Sequence, residues 1–383
     1  MTRRTLLGAS VAMMAVRSRG AARTMFAYVG CYTTARRYAR GDGIHVHRVD
    51  AERGTWSQVQ VVGGLVNPSF LAMSPDRRFL YSAHGDEAYA TSYSVNRETG
   101  QLAVLNRAAT GGTNGVHLAL DAAGRFLLVA NYSSGNVAVM RVGSDGALGA
   151  PAHVIALPGQ PGPHRVEQAG SHPHQILFDP SGRFVLVPDK GLDRIFVFVF
   201  DAATGKLTPT AQGSVVTHSG SGPRHAAFHP SLPVVWVVNE IGNTVATYYW
   251  EAERGHLRPV QMLPLLPPDY TGESTGAEIA VSAAGRYVYC SNRGHDSIAI
   301  FAADPRTGLL TPAGWAPSRG RTPRFIGFDL QRRYLYAANE QSDEIVAWRA
   351  DAETGRLTPA GEPIRNASPV VIVFGDYSAD STR

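Results

Sequence analysis

The chain has 383 residues, of which 44% are hydrophobic and 17% charged, with 40 glycines and 24 prolines. That is enough apolar material for one large core, and the glycine content suits a turn-rich all-β protein. The formal charge of +5 is concentrated at the start. Arg3, Arg4, Arg17 and Arg19 stand in the first 22 residues without an acid, so the remainder carries 5 − 4 = +1, which gives no basis for nucleic-acid binding.

Residues 1–22 read as an export signal. Thr2-Arg3-Arg4-Thr5-Leu6-Leu7 resembles a twin-arginine motif, an apolar stretch over residues 6–16 follows, and Gly20-Ala21-Ala22 offers a cleavage site. The stretch is too short for a stable membrane span. Export to the periplasm or beyond is expected, with a cytoplasmic location as the alternative.

From residue 23 onward one template repeats. A hydrophobic run leads to an Asp/Pro/Gly/Arg turn, then to a second run ending in a polar residue, a third run, and a Gly-x-Leu signal. Arg78, Arg125, Arg183, Pro233, Arg286 and Arg333 mark the same turn position, at spacings of 47, 58, 50, 53 and 47. The runs after them are short, β-branched and aromatic, as buried strands are. Gly100, Gly146, Gly205, Gly255, Gly308 and Gly355 open the Gly-x-Leu signals, where a tight turn of positive φ is expected.

Those are six copies, and the chain ends supply a seventh. Residues 368–374 read as a first strand with no second. Residues 26–32 read as a second strand with no first, and 44–47 and 56–59 complete the set. The expected fold is a single domain over residues 23–383: an all-β, seven-bladed β-propeller with four-stranded antiparallel blades, closed by a composite blade that leaves no open sheet edge. Two stacked all-β domains are the alternative. A Pro- and Gly-rich insertion at 157–170 accounts for the 58-residue spacing, and a loop of that length is expected over the active face. A second insertion covers 263–273. Cys31 and Cys290 fall in second strands of non-adjacent blades, so no disulfide is expected.

The register predicts which residues meet at one mouth of the central channel. First-strand starts bring Ser69, Val116, His174, Arg224, Ala277 and Arg324, then Phe70, His117, Gln175, His225, Glu278 and Phe325. Second-strand ends bring His84-Gly85, Asn131-Tyr132, Asp189-Lys190, Asn239-Glu240, Asn292-Arg293 and Asn339-Glu340. The Asn row suits turn capping. Arginines facing a shared polar mouth need an anionic partner, either a neighbouring carboxylate or a substrate.

These residues carry a resemblance. His172-Pro173-His174, Gly222-Pro223-Arg224-His225, Asn239-Glu240 and Ser291-Asn292-Arg293-Gly294-His295-Asp296 resemble the seven-bladed lactonase family. That family includes the propeller type of 6-phosphogluconolactonase and the fungal 3-carboxy-cis,cis-muconate lactonizing enzyme. The resemblance implies a catalytic group of His174, Arg224, Glu240 and Arg293, with His172 as the alternative histidine. His172, Asp189, Lys190, Glu278, Arg324 and Glu340 would line the substrate.

The implied partner is a small anionic lactone, with no cofactor and no metal. Arg224 and Arg293 would hold the anion and the developing oxyanion. Glu240 would be the base on water, and His174 would protonate the leaving ring oxygen. An export leader points to a lactone other than a cytosolic sugar phosphate. A lactonizing isomerase and a non-catalytic binding platform remain as alternatives. So does a Ca²⁺ site drawing oxygens from Glu240, Asn131, Asp189 and Asn239. Oligomeric state is open.

Overall fold

Seven antiparallel sheets form a ring, each strand lying outside the one before it. The computed structural model describes residues 24–50 and 54–377, so the expected export signal lies outside the described residues. Blades one to six have inner strands Pro68–Met73, Gly115–Leu120, Leu177–Phe178, Pro223–Phe228, Thr275–Val281 and Pro323–Phe328. In the seventh, Pro369–Tyr377 pairs with Thr24–Cys31, and Gly43–Asp50 and Thr55–Gly63 follow outward. The two chain ends thus share one blade, as expected. Five sheets besides this one have four strands. In blade six the outer position is split between Leu357–Pro359 and Ile364–Arg365.

The core is not central. It is divided into clusters that each lie between two neighbouring blades, seven in all among the described residues. The alternating side chains of each strand feed the interfaces on its two faces, which is why strands such as Phe126–Asn131, Phe184–Asp189, Arg194–Asp201 and Val234–Asn239 read as almost unbroken apolar runs. The Gly-x-Leu signals belong to these interfaces. Gly100 and Gly146 have φ of 76° and 83°, as the tight turn requires. A Cβ on either would collide with Phe26 or Phe79 of the preceding blade. The leucines that follow are buried.

A polar clasp accompanies this packing at the outer edge. Gln60 donates to the Leu102 carbonyl at 2.9 Å and accepts the Leu102 N–H at 2.7 Å. Asn106 with Leu148, Gln212 with Leu257 and Gln261 with Leu310 repeat the pattern. Nothing in the strand period signals this clasp. Cys31 and Cys290 are buried free thiols, and no helix of the described residues is long and apolar enough to cross a membrane.

The seam between the chain ends has a tight spot. A Cβ on Gly30 would stand 2.4 Å from the Pro68 carbonyl oxygen and 2.7 Å from Val371 Cγ1. Gly30→Val should cost about 1–3 kcal/mol by overpacking. Gly63→Ala, where the nearest atom is 3.8 Å away, should stay within about 0.5 kcal/mol of wild type. Denaturant titration of both variants checks the contrast; equal stabilities would show that the seam tolerates bulk.

Candidate active site

The inner strands do not run evenly to the mouth. In blades one, two, four and six the ladder to the second strand skips one residue, and the skipped residues are Ser69, Val116, Arg224 and Arg324. Blade five skips both Ala277 and Glu278. A β-bulge of this kind leaves a residue unpaired and re-aims its side chain. Blade three reaches a related result by another route. Its ladder is reduced to Leu177–Phe178 and one bridge from Pro173 to Asp189. The segment carrying His174 is left to bend toward the channel.

The second-strand ends form two rows. Asn131, Asn239, Asn292 and Asn339 are buried, and three of them bond the residue five positions on. They hold the turns, as expected. The next residues face the channel. Together with the bulge residues they enclose a cavity of about 450 Å³ lined by His174, Lys190, Glu240, Arg293 and Arg324, with Tyr132, Glu167, Arg36, Arg37, Asp86 and others.

Glu240 is the charge centre. Its Oε1 accepts from Lys190 Nζ at 2.7 Å, and its Oε2 stands 2.9 Å from Arg224 Nε and 3.0 Å from Arg293 Nη2. The Arg224 contact is ionic rather than a hydrogen bond, and the Nε atoms of Arg224 and Arg293 are buried without an acceptor. Arg224 Nη1 and Arg293 Nη2 donate to the carbonyls of Ala277 and Gly276. Burial would raise the Glu240 pKa, but Arg293, Lys190 and Arg224 outweigh it and hold the carboxyl far below the usual range. Burial pulls Lys190 down, while Glu240, Tyr132 and Glu167 keep it above its ordinary value. Burial, with Arg293 beside it, lowers Arg224 to about 10.

The histidine is the uncharged member. Burial, then Arg224, His225, Arg324 and Lys190, pushes His174 well below the ordinary imidazole value. Its Nδ1 lies 3.1 Å from His225 Nε2, and His225 Nδ1 lies 2.7 Å from Glu278 Oε1. A void of about 10 Å³ among His174, Arg224, His225, Glu278 and Arg324 sits below the cavity. It is followed by a second cavity of about 480 Å³ lined in part by Phe70, His117, Gln175, Glu278 and Phe328.

Of the residues expected at the site, His174, Lys190, Glu240, Arg293 and Arg324 line the cavity, and Arg224 lies directly beneath. Others are placed elsewhere. Glu278 is one layer lower. His172 stacks on Tyr132 at 4.3 Å and bonds its carbonyl. Glu340 pairs with Arg324 at 3.8 Å rather than lining the cavity. Asp189 is fully buried, its oxygens taken by the Ser171 hydroxyl and the N–H groups of His172, Gly191 and Leu192. It caps a turn and presents no oxygen to a ligand. The oxygens of Glu240 are likewise occupied, which leaves the expected Ca²⁺ alternative without its two carboxylates.

Tyr132 stands in the register rows expected at the mouth, while Glu167, Arg36, Arg37 and Asp86 were not expected. Glu167 belongs to the 157–170 insertion, which does reach the mouth through a 2.5 Å bond from Lys190 Nζ. Arg37 is held by Asp86 at 2.9 and 2.7 Å.

A family model described as "Lactonase, 7-bladed beta-propeller" matches residues 26–374. The chain belongs to the seven-bladed lactonase family. Among the family's curated relatives, a Bacillus subtilis protein named 6-phosphogluconolactonase is 34% identical over 305 residues, which is 79% of this chain and 84% of the relative. One from Pectobacterium carotovorum with the same name is 33% identical over 75% of this chain and 81% of its own length. The solved structure of a periplasmic gluconolactonase from Pseudomonas aeruginosa superposes with a TM-score of 0.84 at 29% identity, covering 92% of this chain and 99% of that one.

This lactonase mouth should be fragile to loss of its central anion. Glu240→Gln leaves Lys190, Arg224 and Arg293 buried around a neutral amide and should cost about 3–5 kcal/mol. The folded-state pKa of Glu240 is depressed, so its contribution is complete above the unfolded value of 4.5 and shrinks as pH falls below it. Denaturant titrations of wild type and variant should therefore differ by a constant amount above about pH 6 and converge in acid. A difference independent of pH throughout would show that the ion pairs are not its source.

Proposed function

We propose that the protein hydrolyses a lactone, with the ester carbonyl bound between the Glu240 cation cluster and His174. The observation that carries this reading is the pairing of Lys190, Arg224 and Arg293 around one carboxylate beside an uncharged imidazole. Arg293 in the cavity lining and Arg224 beneath it supply positive charge suited to a carbonyl oxygen that becomes an oxyanion. The family and the names of its relatives support the same reaction class.

The geometry divides the roles differently from the expectation drawn from sequence. Glu240 is ionised, as expected, but its three cations make it a weak proton acceptor, and it serves to position them. His174 is neutral and edges the cavity. It takes a proton from water as the water oxygen bonds to the lactone carbonyl carbon. The tetrahedral oxyanion rests on the arginines. Its collapse breaks the carbon–ring-oxygen bond, and the histidine proton passes to the departing ring oxygen. Lactone and water become the open hydroxy acid, and no metal enters the scheme.

Five cations line the cavity, Arg36, Arg37, Lys190, Arg293 and Arg324, against the acids Asp86, Glu167 and Glu240. That excess supports an anionic lactone. The twin-arginine-like start and the periplasmic neighbour support export, and with it a natural lactone other than a cytosolic sugar phosphate.

Purified protein lacking residues 1–22 should open glucono-1,5-lactone or its 6-phosphate, with turnover unchanged by chelator. His174→Ala should lower kcat by about 10²- to 10⁴-fold. Full activity in that variant would remove His174 from the chemistry. Because burial and the surrounding cations depress the His174 pKa, the base form persists below the ordinary 6.5. The acid limb of the kcat/KM profile should accordingly lie below pH 6.5, and activity should be lost as pH falls through it. A limb above 6.5 would contradict the neutral-base assignment.

A further inference from the structure

The layer beneath the cavity holds a hydrogen-bonded row that the hydrolysis scheme leaves without a task. Glu278 Oε1 accepts the Ile279 N–H at 3.1 Å and stands 2.7 Å from His225 Nδ1. An oxygen already accepting a backbone N–H is oriented as an acceptor, so the proton of the second contact sits on Nδ1. His225 is uncharged: burial lowers its pKa, and Arg224 and Arg324 add to that effect against Glu278. Its Nε2 is then a lone pair, and the 3.1 Å contact with His174 Nδ1 is donated by His174. A neutral His174 with its proton on Nδ1 carries a lone pair on Nε2. No group among the described residues bonds that atom, and His174 is the member of the row that lines the upper cavity.

We infer that His225 and Glu278 are positioning residues that fix His174 in the tautomer able to take a proton from water. This rests on the reading of His174 as the base. The surroundings make the row matter. His174 faces Arg224, Arg324 and Lys190, with the Tyr132 ring at its edge 5.7 Å away. Those cations disfavour the imidazolium that forms during the reaction. His225 faces Arg224, Arg324, Phe70 and His117, and burial keeps His117 uncharged as well. Glu278 is the carboxylate bonded into the row. Through His225 it opposes the cations as charge appears on His174, while the Nδ1 proton stays in place. Glu278 also lines the lower cavity, so its second oxygen can be hydrated from the opposite face without water entering the substrate cavity.

The first test needs no variant. NMR of the wild-type protein carrying nitrogen-labelled histidine should show His174 with its proton on Nδ1, and a proton on Nε2 would overturn the proposal. Glu278→Gln keeps the shape and removes the charge. It should lower kcat by about 10- to 100-fold on gluconolactone with KM within about two-fold. It should also move the acid limb to lower pH, because the imidazolium loses its anion. Glu278→Asp should retain more activity than Glu278→Gln. In a His174→Ala background Glu278→Gln should have no further effect. His225→Phe should release the fixed tautomer in the same spectra. If His174→Ala is inactive while the Glu278 and His225 variants keep wild-type kcat and acid limb, the row is not catalytic support and only this proposal falls. If His174→Ala is itself fully active, the reading of the base falls first.

Discussion

One buried carboxylate sets the terms of the upper mouth. Glu240 closes the second strand of blade four and contacts Lys190 from blade three, Arg224 from its own blade and Arg293 from blade five. Without it three cations would crowd a space shielded from water, where like charges repel strongly. With it they stay in place, and the field of Arg224 and Lys190 adds to burial in keeping His174 uncharged. The cation cluster and the neutral imidazole are therefore compatible, because burial and these charges both favour the uncharged ring.

The ring that holds this arrangement is stiff for a simple reason. Each blade interface holds an apolar cluster in the middle, four of them add an amide clasp at the rim, and the ends of the chain are stitched together inside the same blade. Side chains contributed by blades three, four and five keep their separations because no blade can shift without opening an interface. The bulges then supply the aim. They recur at one register position, and that position holds Ser69, Val116, Arg224 and Arg324, residues whose differences from blade to blade make the mouth asymmetric.

The fold was legible because its signals are periodic. Turn residues recur at nearly constant spacing, and the two orphan runs at the ends complete each other. The mouth was legible for the same reason, since a constant register makes Lys190, Glu240 and Arg293 equivalent positions. The period failed where the residues leave it. Glu167 lies in an insertion with no counterpart in other blades. Arg36 and Arg37 lie between the second and third strands of the composite blade, which lacks the turn arginine that registers the rest. Asp189 was misplaced for a subtler reason. It occupies the register of the Asn row, and it behaves as those asparagines do by satisfying backbone N–H groups. Its negative charge suggested a ligand contact that its burial forbids. The roles within the site were less legible than its membership, because basicity depends on how many cations touch a carboxylate, which spacing does not reveal.

The channel through the ring is interrupted by the layer of His174, His225, Glu278 and their neighbours, where the free space is about 10 Å³, room for roughly a single water. A propeller is drawn as a pipe, but this one is a cup. On the proposed reading, a lactone that enters past Glu167 and the arginines cannot continue through, and the open acid, which carries one more negative charge than the lactone it came from, must depart by the same rim against the attraction of that rim's cations. Product escape would then be tied to the charge that favours substrate capture.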